Sequence, residues 1–167
     1  MELIDILDVG GNLTGKIITR GEAIEKGEYC LGVHVYIINS SGNFLLQKRA
    51  KSKQTYPGMW DLHMGLVVSG ETSKEGAIRE VFEEINVKLH EDELNFVKRF
   101  RWEKYKLFAD IWVVHKDIEI NSILLPKNEV SDVKYVSKNK LIEMLTDASS
   151  KRTWRPKEYI EIINMME

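Results

Sequence analysis

The chain has 167 residues, 43% of them apolar, with 24 Lys and Arg against 26 Asp and Glu and a formal charge of −2. That suits one globular domain with a real core, and it excludes a global basic field for a nucleic-acid polymer, so a polyanionic partner has to be met locally, as a small phosphate ester. A single cysteine, Cys30, excludes an internal disulfide framework and a multi-thiolate metal site.

No apolar run is long enough to span a bilayer, and residues 1–8 lack the basic and apolar regions of a signal peptide. The expectation is a soluble, cytoplasmic protein with no membrane partner. Nothing repetitive or linker-like interrupts residues 1–167, so a single domain is expected.

Residues 2–9 alternate weakly, Gly10, Gly11 and Asn12 supply turn chemistry, and residues 13–19 follow as a partner strand. Residues 1–29 are therefore expected to form an N-terminal hairpin extension, ending in a short polar connection at 22–27. Residues 31–39 (LGVHVYIIN) are strongly β-prone, and a turn at 40–42 leads to a partner strand at 43–48. His34 reads as a sheet histidine satisfied by a neighbour, and Cys30 as a small buried thiol.

Lys48, Arg49, Lys51 and Lys53 form a basic cluster running into a loop that carries Tyr56, Pro57, Gly58 and Trp60. One reading is a solvated loop held by Trp60 as a core anchor. The other is a seat for a diphosphate, with Lys48 and Arg49 as substrate contacts, because a guanidinium grips such an anion bidentately.

Residues 65–87 (GLVVSGETSKEGAIREVFEEINV) carry the densest chemistry. Gly65 and Gly70 bracket a short strand at 66–68, and Thr72 with Glu75 three residues on predicts a capping box opening a helix to about Asn86. Ala77, Ile78, Val81, Phe82 and Ile85 have the spacing of a buried stripe, while Glu80, Glu83 and Glu84 share another face. Like charges three and four residues apart oppose the helix by roughly 0.2–0.5 kcal/mol per pair. A bound divalent cation would explain their crowding, and so would an ordinary solvated acidic face.

Strands are expected at 94–101 and 106–115, joined near Glu103, Lys104 and Tyr105, then a loop at 121–127 and a strand at 130–136. Ser137 caps a helix across 141–145, and Pro156 opens a last helix over 157–165. Trp154 is a candidate to stack on a base, or equally to close the core. Strands with interspersed helices and no regular βαβ alternation argue for an α+β sandwich.

Against known patterns, residues 65–87 resemble the Nudix box, G-x5-E-x7-R-E-U-x-E-E-x-G-U, where U is aliphatic. Gly65, Glu71, Arg79, Glu80, Val81, Glu83, Glu84 and Val87 match. Six fixed letters at roughly one in fifteen each would coincide about once in ten million starting positions. Asn86 replaces the family's glycine after the helix, where a left-handed backbone is expected and asparagine is the usual second choice.

The resemblance implies an α/β/α sandwich with a mixed sheet. It also implies hydrolysis of a diphosphate linkage in a nucleoside diphosphate joined to another moiety, or a related small organic diphosphate, with magnesium or manganese. Glu80, Glu83 and Glu84 would hold the metal, assisted by the backbone carbonyl near Met64 or Gly65, with Arg79 orienting the glutamates and Glu71 supporting the loop. A carboxylate must take the proton of the attacking water: Glu80 or Glu84 from the helix, or Glu103 or Glu129 from the sheet side.

The segments FLLQKRA and YPGMWD also resemble the branch containing isopentenyl diphosphate isomerase. That branch uses a catalytic cysteine and a histidine ligand where this chain has Met64 and Leu66, and thioether and isobutyl groups perform neither role. A non-catalytic nucleotide-binding module of the same fold is the other alternative; such modules usually lose a metal glutamate, and all three stand here. A homodimer stays open, because a surface helix and a dimer helix look alike in sequence.

Overall fold

The structure, a computed structural model, describes residues 2–147 and 156–166. Strands β1 (Leu3–Leu7) and β2 (Leu13–Thr19) pair antiparallel as a separate two-stranded sheet. Asp8 Oδ1 closes their turn by accepting from the amides of Gly10 (2.8 Å) and Asn12 (3.0 Å), an aspartate's usual service in a turn. The expected N-terminal hairpin is present.

The main sheet grows around β3 (Cys30–Ile38). β4 (Phe44–Arg49) follows it, and two short strands, β5 (Trp60–Asp61) and β6 (His63–Leu66), precede the helix α1 (Ser73–Ile85). Then come β7 (Leu94–Trp102), β8 (Leu107–His115), β9 (Val130–Val136), α2 (Lys138–Thr146) and α3 (Pro156–Met165). The strand order is β5-β4-β3-β8-β7, with β6 also paired to β3 and β9 to β4. β3 and β8 run parallel while the other pairs are antiparallel, so the sheet is mixed.

Alternation along β3 builds both layers. Val33, Val35 and Ile37 pack in one core with Ala77, Val81 and Ile85 of α1. Tyr36 and Ile38 pack in the other with Leu141 and Leu145 of α2 and Ile162 and Ile163 of α3. With side chains alternating across a strand, a run buried at nearly every position needs a helix layer on each face. The α/β/α sandwich is the observed fold.

His34 sits in this sheet as expected: it is buried, packs edge-on to Trp102 at 5.1 Å, and its Nδ1 lies 3.2 Å from the Tyr159 hydroxyl. Cys30 is a buried free thiol whose Sγ lies 3.6 Å from the Lys106 carbonyl. Trp60 is half-buried against the core, with the Lys134 ammonium 4.0 Å from its ring centroid.

Two expectations are corrected. The strand before the helix is His63–Leu66, not residues 66–68. Its register against β3 (Val35↔His63 to Gly32↔Leu66) sets its limits, and Glu71 Oε2 takes the Val68 amide (3.2 Å) into the loop instead. Phe82, placed in the buried stripe, is 41% exposed. Ala77, Val81 and Ile85, four residues apart, form the ridge that meets the sheet, and the neighbouring row of Glu80 and Glu84 is buried in place of Phe82.

Candidate active site

The local sequence encodes the helix ends. Thr72 accepts from the Glu75 amide (3.2 Å) while Glu75 Oε2 accepts from the Thr72 amide (2.7 Å), a reciprocal capping box. At the far end Asn86 adopts φ 55°, ψ 29° and donates its amide to the Phe82 carbonyl, so asparagine serves where glycine is usual.

Packing then turns the acidic row inward. Glu80 and Glu84 are only 9% and 6% exposed, against 51% for the Glu83 side chain. Gly65 makes this approach feasible. A Cβ there would lie 1.9 Å from Glu80 Cδ and 2.0 and 2.2 Å from its oxygens.

Arg79 ties the loop to the helix. Its Nε and Nη2 donate to the two Glu71 oxygens at 2.7 and 3.0 Å, and Nη2 also donates to the Leu66 carbonyl at 2.8 Å. Its Nη1 donates to Glu80 (2.8 Å) and Glu83 (3.2 Å). One planar guanidinium thus fixes three carboxylates and a carbonyl.

Burial pushes Glu80 above the usual carboxylate range, against the pull of Arg79. Glu84 is pushed well above it, first by burial and then by the charge of Glu80. Behind Glu84 lies His63, fully buried, with Nδ1 3.1 Å from Glu84 Oε2. Burial drives that imidazole down to about 4, so it is neutral at pH 7 and the contact is a hydrogen bond, not an ion pair.

These residues face a polar pocket of about 150 Å³ lined by Glu80, Glu83 and Glu84 of α1, Met64 and Gly65 of β6, Gln47 and Arg49 of β4, and Lys53 and Glu129 of the loops beyond. Glu129 enters it ion-paired to Lys53. Arg49 lines it while donating to the Thr55 carbonyl and hydroxyl (2.9 and 3.2 Å).

Other candidates fall elsewhere. Glu103 does not line the pocket; it accepts from the Tyr29 hydroxyl at 2.7 Å and pairs with Arg101, because the β7–β8 tip turns toward the hairpin side. Lys48 alternates away from Arg49 along β4 and lies over the Trp60 ring at 5.6 Å. Trp154 lies outside the described residues. Glu2, Arg20, Gln47 and His63 are lining or supporting residues that no motif in the sequence marks, although Lys53 stands in the basic cluster read from it.

Among the described residues no three His, Cys, Asp or Glu side chains converge as a closed metal cluster, since Arg79 holds Glu83 and one Glu80 oxygen. The donor set nevertheless suits a hard divalent cation. All three side chains are carboxylates, and the missing Cβ of Gly65 brings Glu80 against a backbone that offers a carbonyl. Glu80 and Glu84 also repel one another in a buried site, the charge arrangement that a cation relieves.

The NUDIX domain family model matches residues 28–157. The chain is 41% identical over 142 residues to an uncharacterized Nudix hydrolase of Listeria innocua, covering 84% of this chain and 83% of that protein. It is 28% identical over 158 residues to the isopentenyl-diphosphate delta-isomerase idi1 of Aspergillus fumigatus, covering 78% of this chain and 57% of that one. Among solved structures, DR0079 from Deinococcus radiodurans aligns over 98% of each chain with a TM-score of 0.75 at 20% identity.

The sandwich fold and the glutamate-bearing loop and helix thus define a hydrolase of acid anhydrides. The chain belongs to the Nudix family of pyrophosphohydrolases, enzymes that generally work with divalent cations.

Proposed function

We propose that this chain hydrolyses the diphosphate linkage of a nucleoside diphosphate joined to another moiety, or of a related small organic diphosphate, with magnesium or manganese. One observation carries the reading: Glu80 and Glu84 are buried together in a pocket that Arg49 and Lys53 also line. Carboxylates for a cation thus face cations for a phosphate, the pairing that a metal-bound diphosphate needs.

Glu80, Glu83 and Glu84 would hold the metal, with the Gly65 carbonyl beside them. The metal supplies charge neutralisation and a more acidic water. Arg79 keeps Glu80 and Glu83 in register with the loop, and Glu71 keeps Arg79 in place. Arg49 and Lys53 bind phosphate oxygens as the charge shifts onto the leaving group. The water's proton passes to a carboxylate oxygen of Glu80, Glu84 or Glu129, which line the pocket; Glu103 is not among its lining residues.

Met64 lines the pocket where the isomerase branch has its cysteine, so the chain offers no thiol for carbon chemistry there. The balanced charge of −2 favours a small substrate over a nucleic-acid polymer. No helix among the described residues is long and apolar enough to cross a membrane. We place the enzyme in the cytoplasm, as one catalytic domain with residues 1–29 as its extension.

The test is a screen of nucleoside di- and triphosphates, dinucleoside polyphosphates, nucleotide sugars and prenyl diphosphates with magnesium and manganese, reading released phosphate and pyrophosphate. At least one should turn over, and Glu83→Gln should remove most of the rate while the melting temperature holds. If no diphosphate turns over with any divalent metal, the proposal fails; turnover of isopentenyl diphosphate without phosphate release would instead identify an isomerase.

A further inference from the structure

The pocket has a wall that the family-matched region, residues 28–157, does not supply. Glu2 and Arg20, at the open end of the β1–β2 hairpin, line it together with Arg49, Lys53 and the three glutamates. The hairpin is fastened there. Ser69 donates its amide to the Leu3 carbonyl (2.7 Å) and its hydroxyl to Asp5 Oδ1 (2.8 Å), and the Gly70 amide donates to Asp5 Oδ2 (3.0 Å). Further along, Leu7 and Tyr29 exchange backbone hydrogen bonds at 2.8 and 2.9 Å. The loop leading into α1 thus carries the hairpin, and the hairpin delivers a guanidinium to the pocket.

The cations around the pocket differ in how firmly they are held. Arg79 is saturated by Glu71, Glu80, Glu83 and the Leu66 carbonyl, Arg49 is anchored to Thr55, and Lys53 is paired with Glu129. Arg20 Nη1 donates to Glu2 Oε2 at 2.6 Å, and both side chains are about half exposed, 53% and 47%. An exposed pair of this kind contributes little to stability, so its partner is readily exchanged. A carboxylate and a phosphate offer a guanidinium the same bidentate acceptor edge, and the phosphate carries more charge.

We propose that Arg20 is a substrate-binding residue that grips a phosphate of the diphosphate, with Glu2 occupying its guanidinium until that phosphate displaces it. This rests on the diphosphatase reading above and extends the site to the hairpin. Arg20 then acts chiefly on affinity, because it grips a phosphate oxygen and holds neither the metal nor the attacking water.

The experiment uses residues 1–167 with magnesium and compares wild type with Arg20→Gln, Arg20→Lys and Glu2→Gln. Two quantities are read: KM and kcat for a substrate found by the screen, and the calorimetric Kd of methylenediphosphonate, a non-hydrolysable diphosphate. Arg20→Gln should raise KM and Kd about tenfold, far more than it lowers kcat, and Arg20→Lys should recover part of that loss. Glu2→Gln should lower both values severalfold, since it removes the competitor.

The opposite signs are decisive. A pair that merely closes the hairpin would lose the same contact in both variants, so KM and melting temperature would move alike; that outcome, or no change in either, overturns the proposal. If the wild type turns over no diphosphate yet Arg20→Gln weakens methylenediphosphonate binding, the hydrolase reading falls and the Arg20 assignment stands. If the wild type turns over a diphosphate but Arg20→Gln changes neither KM nor methylenediphosphonate binding, the Arg20 assignment falls and the hydrolase reading stands; if it neither turns over a diphosphate nor binds methylenediphosphonate, both fall.

Discussion

The helix α1 with its preceding loop and the β1–β2 hairpin reach the same pocket by different physical routes. The first is built from contacts close in sequence: Thr72 with Glu75, Arg79 with Glu71 and Glu83, and Asn86 with Phe82. The hairpin is held to the loop before α1 by contacts more than sixty residues apart, Asp5 with Ser69 and Gly70. Chemistry that sits at fixed spacing on one helix leaves a signature, whereas a wall delivered by docking leaves none. A site can therefore be half legible even when its motif is nearly complete.

The largest break in this contrast should come at Gly65, where the helix row meets the sheet. Gly65→Ala puts a methyl into the Glu80 carboxylate, and we expect turnover to fall at least about a hundredfold, as misplacement of a reacting group does. Stability should fall by about 1–3 kcal/mol from overpacking. Steady-state rates with a thermal melt check both, and wild-type activity in this variant would show that Glu80 need not occupy its observed place.

Arg79→Lys is next. A lysine keeps the charge but cannot span Glu71, Glu80 and Glu83 with one planar group, so kcat should drop roughly ten- to a hundredfold while the fold persists. Retention of full kcat would mean that charge alone, without the fork geometry, orders the glutamates.

Asp5→Ala probes the hairpin's attachment. Two hydrogen bonds to a carboxylate are lost, and stability should fall by about 1–2 kcal/mol. Amide exchange should quicken in β1 and β2 but stay slow in β3 and β8. Uniform quickening across both sheets would instead show that the hairpin and the sandwich open as one unit.

A loss of similar size is expected at Asn86, where it is confined to stability. Asn86→Val should lower stability by roughly 1–2 kcal/mol, because a β-branched side chain is strained at φ 55°, whereas Asn86→Gly should be nearly neutral. An unchanged melting temperature for the valine variant would refute this account of the position.

Residue periodicity made much of the fold legible before any coordinates. Strands with interspersed helices and no regular βαβ alternation called for an α+β sandwich, and the strands and helices after residue 90 lie close to where pattern and capping placed them. The errors share a cause. Phe82 and the Glu80–Glu84 row compete for the same flank of α1, and propensity alone assigns the buried place to the aromatic. Glu103 and Lys48 were credible by charge, but which way a strand tip turns and which face a strand residue takes depend on pairing register.

Sequence alone determined the family, the caps of α1 and the identity of the three crowded glutamates, because helical spacing converts directly into distance. Only the tertiary structure decided which of those glutamates are buried, that Gly65 lacks a side chain to admit Glu80, and that Lys53, Glu129, Gln47 and Arg20 share their pocket. Those facts follow from how a helix rolls on a sheet and where a hairpin docks. Both are settled by packing between segments distant in the chain, and no local spacing records it.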